Sequence, residues 1–315
     1  MVKLVINIPC FNEEGTLPLV LSSLPTSLPG VSVIEVQIVD DGSTDGTVAV
    51  ATSFGVDRII RHKKNLRLGV SFKDGVDAAL AAGADIMVNM DGDNAFPADK
   101  IGLLISPILS GRADISVGNR TPWMVPHFSL MKRFFQYFGN MLIRSIADTG
   151  VPDMVCGFRA YSRDAMLRLN VTTKFSYVLD VIVQASRKGM VIASVPIESR
   201  VATRPSRLFK NIFEHMYKSG VNIVRLFVLY QPFKTFLYLS LVFLIPASVL
   251  ITRFMILRFH FDYPGSLFLS LILAAVLLIL GGLMLTLGAL AELTALNRRL
   301  SEEQLYLARK YHYDG

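Results

Sequence analysis

Short apolar runs alternate with segments of helical periodicity over the first two hundred residues. The runs are nearly continuous in aliphatic residues and end at turn-forming residues, which is typical of strands buried on both faces. We predict strands at Lys3–Pro9, Val33–Val39, Arg58–Arg61, Ile86–Met90 and Val191–Ile197. The intervening periodicity predicts helices at Thr16–Leu24, Thr47–Phe54 and Val70–Ala82. This alternation predicts an α/β domain with a mostly parallel sheet.

Two uncharged apolar segments follow the α/β region. Thr235–Thr252 and Gly265–Ala291 contain no Asp, Glu, Lys or Arg. Each is close to the ~20 helical residues that cross a hydrocarbon core of ~30 Å, so we predict two transmembrane helices. The alternative is a helical hairpin buried in a soluble core. The chain is 52% hydrophobic, which favours the membrane prediction.

Basic residues flank both predicted spans. Residues 187–234 contain nine Lys or Arg residues and two acidic residues, interleaved with aliphatic and aromatic side chains. This pattern predicts basic amphipathic helices at a membrane surface. Positively charged flanks stay on the cytoplasmic side, so loop 258–264 is predicted on the opposite side. We therefore divide the chain into an α/β domain at 1–205, interfacial helices at 206–233, two spans within 234–292 and a basic cytoplasmic tail at 293–315.

Two carboxylates follow the predicted strand Ile86–Met90. In an extended chain residues i and i+2 project to the same side, so Asp91 and Asp93 can face one point. Gly92 allows a ligand to approach the backbone closely. Adjacent like charges are costly unless a cation lies between them, and a few hard oxygen ligands suit Mg²⁺ or Mn²⁺ shared with a substrate phosphate. We predict a divalent cation site here, with a solvated Asp-Gly turn as the alternative.

Polar residues also follow two other predicted strands. Asn12 and Glu13 come after the first strand, and Asp40 and Asp41 after the second. Ligands of open α/β sheets bind beyond the carboxyl ends of the strands, so we expect these residues to share an edge with Asp91. A single acid at such a place is usually only a helix cap. The chain has no Gly-x-Gly-x-x-Gly after the first strand and no Gly-Lys-Ser/Thr, so a dinucleotide fold or a P-loop is unsupported.

Several of these segments, in this order, resemble family 2 glycosyltransferases with the GT-A fold. The segments that carry the resemblance are Pro9–Glu13, Val39–Thr47, Asn65 with Gly69, and Asp91–Asp93. Two later segments, Val117–Arg120 and Asp153–Tyr161, are similar to the members that glycosylate polyprenyl phosphates, such as dolichol-phosphate mannose synthases. The resemblance covers about residues 3–210 and implies a Rossmann-like, mostly parallel sheet.

The resemblance implies a site for a UDP- or GDP-linked sugar. The residues that it places around this donor are Pro9, Phe11, Asn12, Glu13, Asp40, Asp41, Asn65, Gly69, Asp91, Gly92 and Asp93. Asp91 and Asp93 would be catalytic by holding Mg²⁺ or Mn²⁺ on the diphosphate. Relatives often have a glutamine two residues after the second aspartate, whereas Ala95 here leaves the metal one expected protein ligand short.

The implied acceptor is a polyprenyl monophosphate, undecaprenyl or dolichyl. A phosphate monoester with a second pKa of about 6 is already ionised, so it needs positioning more than a general base. Arginine forks match phosphate oxygens. The candidates for the acceptor phosphate are Arg120, Arg133, Arg200, Arg204, Ser206 and Arg207. The resemblance also places Asp153 near the reaction centre, which implies a catalytic role in orienting the acceptor or accepting a proton; a structural cap or an arginine partner is the alternative.

Other functions fit parts of the pattern. Transfer to a lipid hydroxyl, such as that of diacylglycerol, would need a general base. Polysaccharide synthases of the family carry a Gln-x-x-Arg-Trp motif, which is missing because Trp123 is the only tryptophan. A non-catalytic membrane protein would bind the nucleotide sugar without turnover. The net charge of +7 also fits nucleic acid, but basic residues beside apolar spans favour anionic membrane lipids, so no nucleic-acid partner is predicted.

The predicted location is the plasma (inner) membrane, crossed more than once, with the catalytic domain on the cytoplasmic face. Cys10 and Cys156 are too few for a disulfide framework and agree with a reducing compartment. Small residues in the second span, Gly281, Gly282 and Gly288, predict helix–helix contact and a homo-oligomer.

Overall fold

The computed structural model describes residues 1–120, 150–171, 173, 177–197, 220–221, 224–261 and 267–314. The chain divides into two compact units. One comprises Met1–Asn211 together with Glu302–Gly315, and the other comprises Ile212–Ser301. The first unit holds the α/β sheet, and the second holds most of two long apolar helices.

Seven strands form one sheet in the first unit. They are β1 Lys3–Cys10, β2 Val33–Asp40, β3 Arg58–Arg61, β4 Ile86–Asn89, β5 Ile115–Asn119, β6 Arg159–Ser162 and β7 Ile192–Pro196. In the part of this unit that the structure describes, six helices accompany the strands. They are α1 Leu17–Ser22, α2 Thr47–Ser53, α3 Leu68–Ala81, α4 Ile101–Leu109, α5 Arg163–Arg168 and α6 Val178–Arg187. A short 3₁₀ helix, Ala98–Lys100, leads into α4.

The strand order is β3-β2-β1-β4-β6-β5-β7. The pairs β1–β2, β1–β4, β2–β3 and β5–β7 are parallel, whereas β6 is antiparallel to both β4 and β5. Parallel neighbours require crossover connections, which the helices provide. The predicted α/β class with a mostly parallel sheet is confirmed.

The centre of the sheet is apolar and inaccessible to solvent. Leu4, Val5, Ile6 and Ile8 of β1 are fully buried. Helix α3 packs against β1 and β2, and it approaches closely because it carries Gly75, where a Cβ would lie 2.4 Å from Asn7 Oδ1. This packing brings the N-terminal end of α3 to the edge where β1 and β2 end.

Two strands were not predicted, β5 and β6. β5 is a five-residue strand, Ile-Ser-Val-Gly-Asn, and β6 is Arg-Ala-Tyr-Ser, in which the charged Arg159 is fully buried. Neither strand has the apolar run that identified the others. Helices α4, α5 and α6 were likewise not predicted.

The second unit contains most of two long helices, α7 Pro232–Phe259 and α8 Phe268–Asp314. Both are long and apolar enough to cross a membrane, and only 11% of the most apolar window of each is buried. A helical hairpin inside a soluble core would be mostly buried, so the exposed apolar surface favours lipid contact. α7 extends beyond both ends of the predicted span 235–252, whereas α8 begins three residues after the predicted start at Gly265 and continues past Ala291.

Glycines allow α7 and α8 to pack closely. A Cβ on Gly281 would lie 2.5 Å from Leu244 Cδ2, and one on Gly288 would lie 2.9 Å from Phe236 Cβ. Two of the three glycines behind the predicted oligomer therefore pack within one chain, and oligomerisation remains a prediction.

The end of α8 belongs to the first unit. The Arg309 guanidinium donates to Asp77 Oδ1 at 2.9 Å and to the Leu169 carbonyl at 2.7 Å. The Tyr306 hydroxyl donates to Asp164 Oδ1 at 3.0 Å. The segment predicted as a basic tail thus continues α8, and its last turns pack on the α/β unit.

Candidate active site

The ends of three neighbouring strands meet at one edge of the sheet. β1 lies between β2 and β4, with Cys10 paired with Asp40 and Asn7 paired with Asn89. The segments that follow these strands therefore start side by side. The acids that we predicted to share one edge of the sheet follow these strands, so they lie at this edge.

Asp91 lies two residues beyond the end of β4 and is partly exposed. Burial of its carboxyl group, followed by repulsion from Asp93 and Glu13 and opposed by Arg120, raises the pKa of Asp91 to about 7. The backbone at Gly157 is close enough that a Cβ there would lie 3.1 Å from Asp91 Oδ2. Within the described residues, no hydrogen-bond donor reaches the Asp91 carboxylate.

Asp93 is held by the turn that follows it. Its Oδ1 accepts a hydrogen bond from the Ala95 backbone N–H at 3.0 Å, and Asn94 has a φ of +59°. Although Ala95 offers no side-chain ligand, its backbone orients the second carboxylate.

Gly92 packs against β1. A Cβ at this position would lie 2.9 Å from Cys10 Sγ, so only glycine fits. Burial, followed by repulsion from Glu13, raises the pKa of the Cys10 thiol well above its ordinary value, which keeps Cys10 neutral. The Thr16 hydroxyl lies 2.8 Å from both Glu13 Oε2 and the Gly92 carbonyl. Thr16, which the sequence did not single out, therefore ties the loop after β1 to the acid pair.

The loop after β1 is bonded to the loop after β2. The Asn12 N–H donates to Ser43 Oγ at 2.9 Å, and Asn12 Oδ1 accepts from the Thr44 N–H at 2.8 Å. The Glu13 N–H donates to Thr47 Oγ1 at 2.8 Å. Pro9 is buried at the end of β1, whereas Phe11 is 37% exposed. Asn12 and Glu13 therefore shape this edge, and Phe11 presents an aromatic surface on it.

Asp40 has one oxygen to which no described residue donates a hydrogen bond. The residue is fully buried, and Oδ1 accepts from the Ser43 N–H at 3.1 Å. Oδ2 is buried and has no hydrogen-bond partner among the described residues, with Arg61 Nε at 3.6 Å. An unsatisfied buried acceptor is costly, so an incoming N–H or O–H donor would be favoured there.

Asp41, in contrast, is fully engaged by the protein. Oδ1 accepts from the Leu66 N–H at 2.7 Å and contacts His62 Nδ1 at 2.8 Å, and Oδ2 accepts from the Arg67 N–H at 2.8 Å. Asn65 Oδ1 also bonds the Arg67 N–H at 3.1 Å, and Gly69 is buried in the first turn of α3. Asp41 and Asn65 therefore shape the loop that enters α3.

Asp153 is paired with Arg120. Asp153 is fully buried, and its two oxygens accept from Arg120 Nε at 2.7 Å and Nη2 at 3.0 Å. This two-point pairing is the arginine-partner alternative for Asp153. The pairing also holds the Arg120 guanidinium close enough to Asp91 to oppose part of the rise in the pKa of Asp91.

A buried polar row underlies the edge and was not predicted. Gln37 Nε2 donates to Asn7 Oδ1 at 2.8 Å, Asn7 Nδ2 to Asn89 Oδ1 at 2.7 Å, and Asn89 Nδ2 to Tyr177 OH at 2.8 Å. The signal was available, because Asn7 and Asn89 interrupt otherwise apolar strands. Arg159 binds three carbonyls, those of Met154, Cys156 and Val178, and so fixes the loop behind Asp91.

The other candidates for the acceptor phosphate lie outside the described residues. They are Arg133, Arg200, Arg204, Ser206 and Arg207.

The acid pair fits a divalent cation that is shared with a ligand. The raised pKa of Asp91 shows that the site disfavours a second negative charge, which a cation would relieve. Over the described ranges, no group of three or more His, Cys, Asp or Glu residues could hold a metal ion. Two protein carboxylates leave most coordination positions to other oxygens, as is usual for Mg²⁺ on substrate phosphates.

The family is decided by a match to the glycosyl transferase family 2 model over residues 5–169, slightly more than half of the chain. The chain belongs to glycosyl transferase family 2. The matched range contains most of β1, all of β2 to β6 and both members of the acid pair, so the family assignment and the strand-edge geometry concern the same residues.

The curated proteins that are similar to this family 2 chain include the following two. Polyprenol monophosphomannose synthase of Mycolicibacterium smegmatis is 26% identical over 206 residues, which are 62% of this chain and 76% of the relative. Undecaprenyl-phosphate mannosyltransferase of Micrococcus luteus is 25% identical over 203 residues, 60% of this chain and 80% of the relative.

Solved structures support the fold of this family 2 member. Glucosyl-3-phosphoglycerate synthase from Mycobacterium tuberculosis, in complex with Mn²⁺, UDP and glucosyl-3-phosphoglycerate, superimposes with a TM-score of 0.56 at 18% identity. The match covers 72% of this chain and 79% of that structure. The same enzyme in complex with Mg²⁺ and UDP gives a TM-score of 0.53. At this identity the likeness concerns the fold alone, and it confirms the predicted GT-A-like architecture.

Proposed function

We propose that this protein is a membrane-bound glycosyltransferase that moves a hexosyl unit from a nucleotide diphosphate sugar to a polyprenyl monophosphate. The reaction takes place on the cytoplasmic face of the membrane and uses Mg²⁺ or Mn²⁺. The relatives named for polyprenol and undecaprenyl phosphate support the acceptor class, and the two exposed apolar helices support a lipid acceptor.

The observation that carries the proposal is the position of the Asp91 carboxylate beside Asp93, together with its raised pKa. Asp91 lies where three strands end, beside a second carboxylate, and its pKa is raised to about 7. No donor from the described part of the chain satisfies it. A carboxylate in this state is suited to a cation that arrives with the donor substrate.

The donor binds along the edge formed by the loops after β1, β2 and β4. Asp40 Oδ2, buried without a hydrogen bond in the described structure, accepts a hydrogen bond from the nucleoside. Asn12, Glu13 and Asp41 keep the surrounding loops in place through backbone hydrogen bonds. Phe11 contributes the exposed apolar surface.

Departure of the nucleoside diphosphate leaves negative charge on its β-phosphate. A divalent cation held by Asp91 and Asp93 would stabilise that charge, the kind of electrostatic effect that is usually the largest in such sites. The absence of side chains at Gly92 and Gly157 lets the backbone pack closely against Cys10 and against the Asp91 carboxylate, respectively. Ala95 holds Asp93 through its N–H.

The acceptor phosphate attacks C1 in a single displacement with inversion. Because it is already ionised, no side chain has to remove a proton. Arg120 directs positive charge toward this region, and buried Asp153 fixes its guanidinium. Arg133, Arg200, Arg204, Ser206 and Arg207 remain the proposed further contacts to the acceptor phosphate.

A donor and acceptor panel tests the proposal. Purified full-length protein is incubated with labelled UDP- or GDP-sugars, Mn²⁺ or EDTA, and either undecaprenyl phosphate, undecaprenol or diacylglycerol. We expect labelled lipid only with the phosphorylated acceptor and only with the metal. Transfer to undecaprenol or diacylglycerol would instead indicate a hydroxyl acceptor, and nucleotide binding without any transfer would indicate a non-catalytic binder.

A further inference from the structure

His62 is a buried histidine held between two carboxylates. It follows the last residue of β3, and its backbone N–H donates to the Asp40 carbonyl at 2.9 Å. Its Nδ1 lies 2.8 Å from Asp41 Oδ1, and its Nε2 lies 3.0 Å from Asp74 Oδ2. An ionised carboxylate only accepts hydrogen bonds, so each ring nitrogen of His62 that carries a hydrogen donates to the acid that it faces. His62 therefore joins the end of β2 to helix α3.

The loop between β3 and α3 depends on the orientation of Asp41. Its carboxylate accepts the N–H groups of Leu66 and Arg67, at 2.7 Å and 2.8 Å. Arg67 has a φ of +77°, in the region that residues other than glycine rarely adopt. These two hydrogen bonds hold the loop in that conformation, and the contact with His62 fixes the carboxylate that accepts them.

The same loop packs on the edge where the donor is proposed to bind. A Cβ on Gly42, which has a φ of +74°, would lie 2.6 Å from the Lys64 carbonyl carbon. The backbone of Lys64 and Asn65 therefore packs on Gly42, directly after Asp41, to which the Arg67 N–H also donates. A shift of this loop would move backbone that packs on Gly42, two residues after Asp40, whose Oδ2 is buried without a hydrogen bond from the described residues.

We propose that His62 is a positioning residue of the donor pocket. Through Asp41, His62 holds loop 63–67 in the conformation that binds the nucleoside of a nucleoside diphosphate sugar. The inference rests on the proposed function for the identity of this ligand. It assigns His62 no contact with the reacting atoms.

Two amide substitutions separate the two contacts of the ring. The amide nitrogen of His62→Asn lies near the position of Nδ1 and keeps a donor for Asp41. The amide nitrogen of His62→Gln lies near the position of Nε2 and keeps a donor for Asp74. His312→Gln, at an exposed residue near the end of α8, is the matched control. Each protein is assayed at full length with Mn²⁺ for UDP and GDP binding by calorimetry, for transfer kinetics and for thermal unfolding.

We expect His62→Gln to weaken nucleotide binding and raise the KM for the donor by about tenfold, with kcat within about twofold, because the Asp41 contact is lost. His62→Asn should stay within about threefold of the wild type. Backbone amide exchange at Leu66 and Arg67 should accelerate in His62→Gln without any nucleotide. This last readout does not depend on the identity of the ligand.

Equal nucleotide affinity and equal amide exchange in His62→Gln and wild type would overturn the inference. So would a fall in kcat at an unchanged donor KM. A loss in His62→Asn as large as that in His62→Gln would also overturn it, because the Asp41 contact would then not be the cause. A wild-type protein that binds neither UDP nor GDP would overturn the proposed function and the donor role of His62 together.

Discussion

Asp41 and Asp91 follow two strands on either side of β1 and have opposite relations to the protein. Both oxygens of Asp41 accept backbone N–H groups, and His62 adds a third contact. The carboxylate of Asp91 has no donor among the described residues, and burial and Asp93 raise its pKa to about 7. An acid whose hydrogen bonds are complete shapes a loop, whereas an acid left with a neighbouring charge is suited to bind a ligand.

The largest expected effect comes from neutralising the acid pair. Asp91→Asn or Asp93→Asn should lower transfer to undecaprenyl phosphate by on the order of 1000-fold, because the charge on the departing β-phosphate loses its stabilisation. The measurement is the initial rate with labelled donor and saturating Mn²⁺. Asp99→Asn, at an exposed acid in the 3₁₀ helix, is the control and should keep full activity. Full activity in either variant would contradict the proposed role of the acid pair.

Variants of Asp153 test whether this buried acid accepts a proton or instead orients Arg120. Its pairing with Arg120 predicts that Asp153→Asn and Arg120→Gln each slow transfer by roughly 10- to 100-fold. Each should also lower the free energy of unfolding by about 2 kcal/mol. This is less than for a fully buried ion pair, because the Arg120 side chain is partly exposed.

The double variant decides between the two roles of Asp153. If the pair acts as one unit, Asp153→Asn combined with Arg120→Gln should be little slower than either single variant. Loss of all transfer in Asp153→Asn, with Arg120→Gln nearly active, would instead support Asp153 as a proton acceptor.

The contrast between Asp41 and Asp91 marks the limit of prediction from sequence. Five strands were predicted from their aliphatic runs. Because helices alternate with these strands, a parallel sheet was expected, and parallel strands have their carboxyl ends at one edge. β6 was not predicted because it begins with a charged residue, Arg159. This arginine can be buried because it donates to three carbonyls, which only the folded chain brings together. Likewise, whether a strand-end acid is satisfied depends on which backbone N–H groups the next loop brings to it. The residue pattern contains no such information.

The pH dependence of stability provides a smaller effect that is specific to Asp91. In the metal-free protein its pKa is about 7, above the unfolded value of about 3.9, so the folded state holds an extra proton between these values. The stability that this proton contributes is present below about pH 4 and is lost as the pH rises through about 7. We therefore expect the Tm of metal-free wild type to fall relative to that of Asp91→Asn between pH 5 and 8.

Added Mn²⁺ should reverse this loss. Because the cation competes with the proton, the rise in Tm caused by Mn²⁺ should be greater at pH 8 than at pH 5.5 and should be absent in Asp91→Asn. Thermal unfolding at fixed ionic strength measures both effects. A Mn²⁺ shift that is independent of pH, or one of the same size in the variant, would mean that the cation binds elsewhere.

The smallest expected effect concerns Ala95, which lies two residues after Asp93 and bonds to it only through its N–H. Ala95→Gln would add an amide oxygen beside the acid pair at a partly exposed position, so the backbone contact can persist. We expect Mn²⁺ to bind about threefold more tightly in the presence of UDP or GDP, the gain of roughly one additional polar contact. Ala95→Leu, of similar size but without a ligand atom, is the matched control and should bind Mn²⁺ no more tightly than wild type. If both variants weaken Mn²⁺ binding equally, the side chain is excluded from the metal, and two carboxylates are all that this edge contributes.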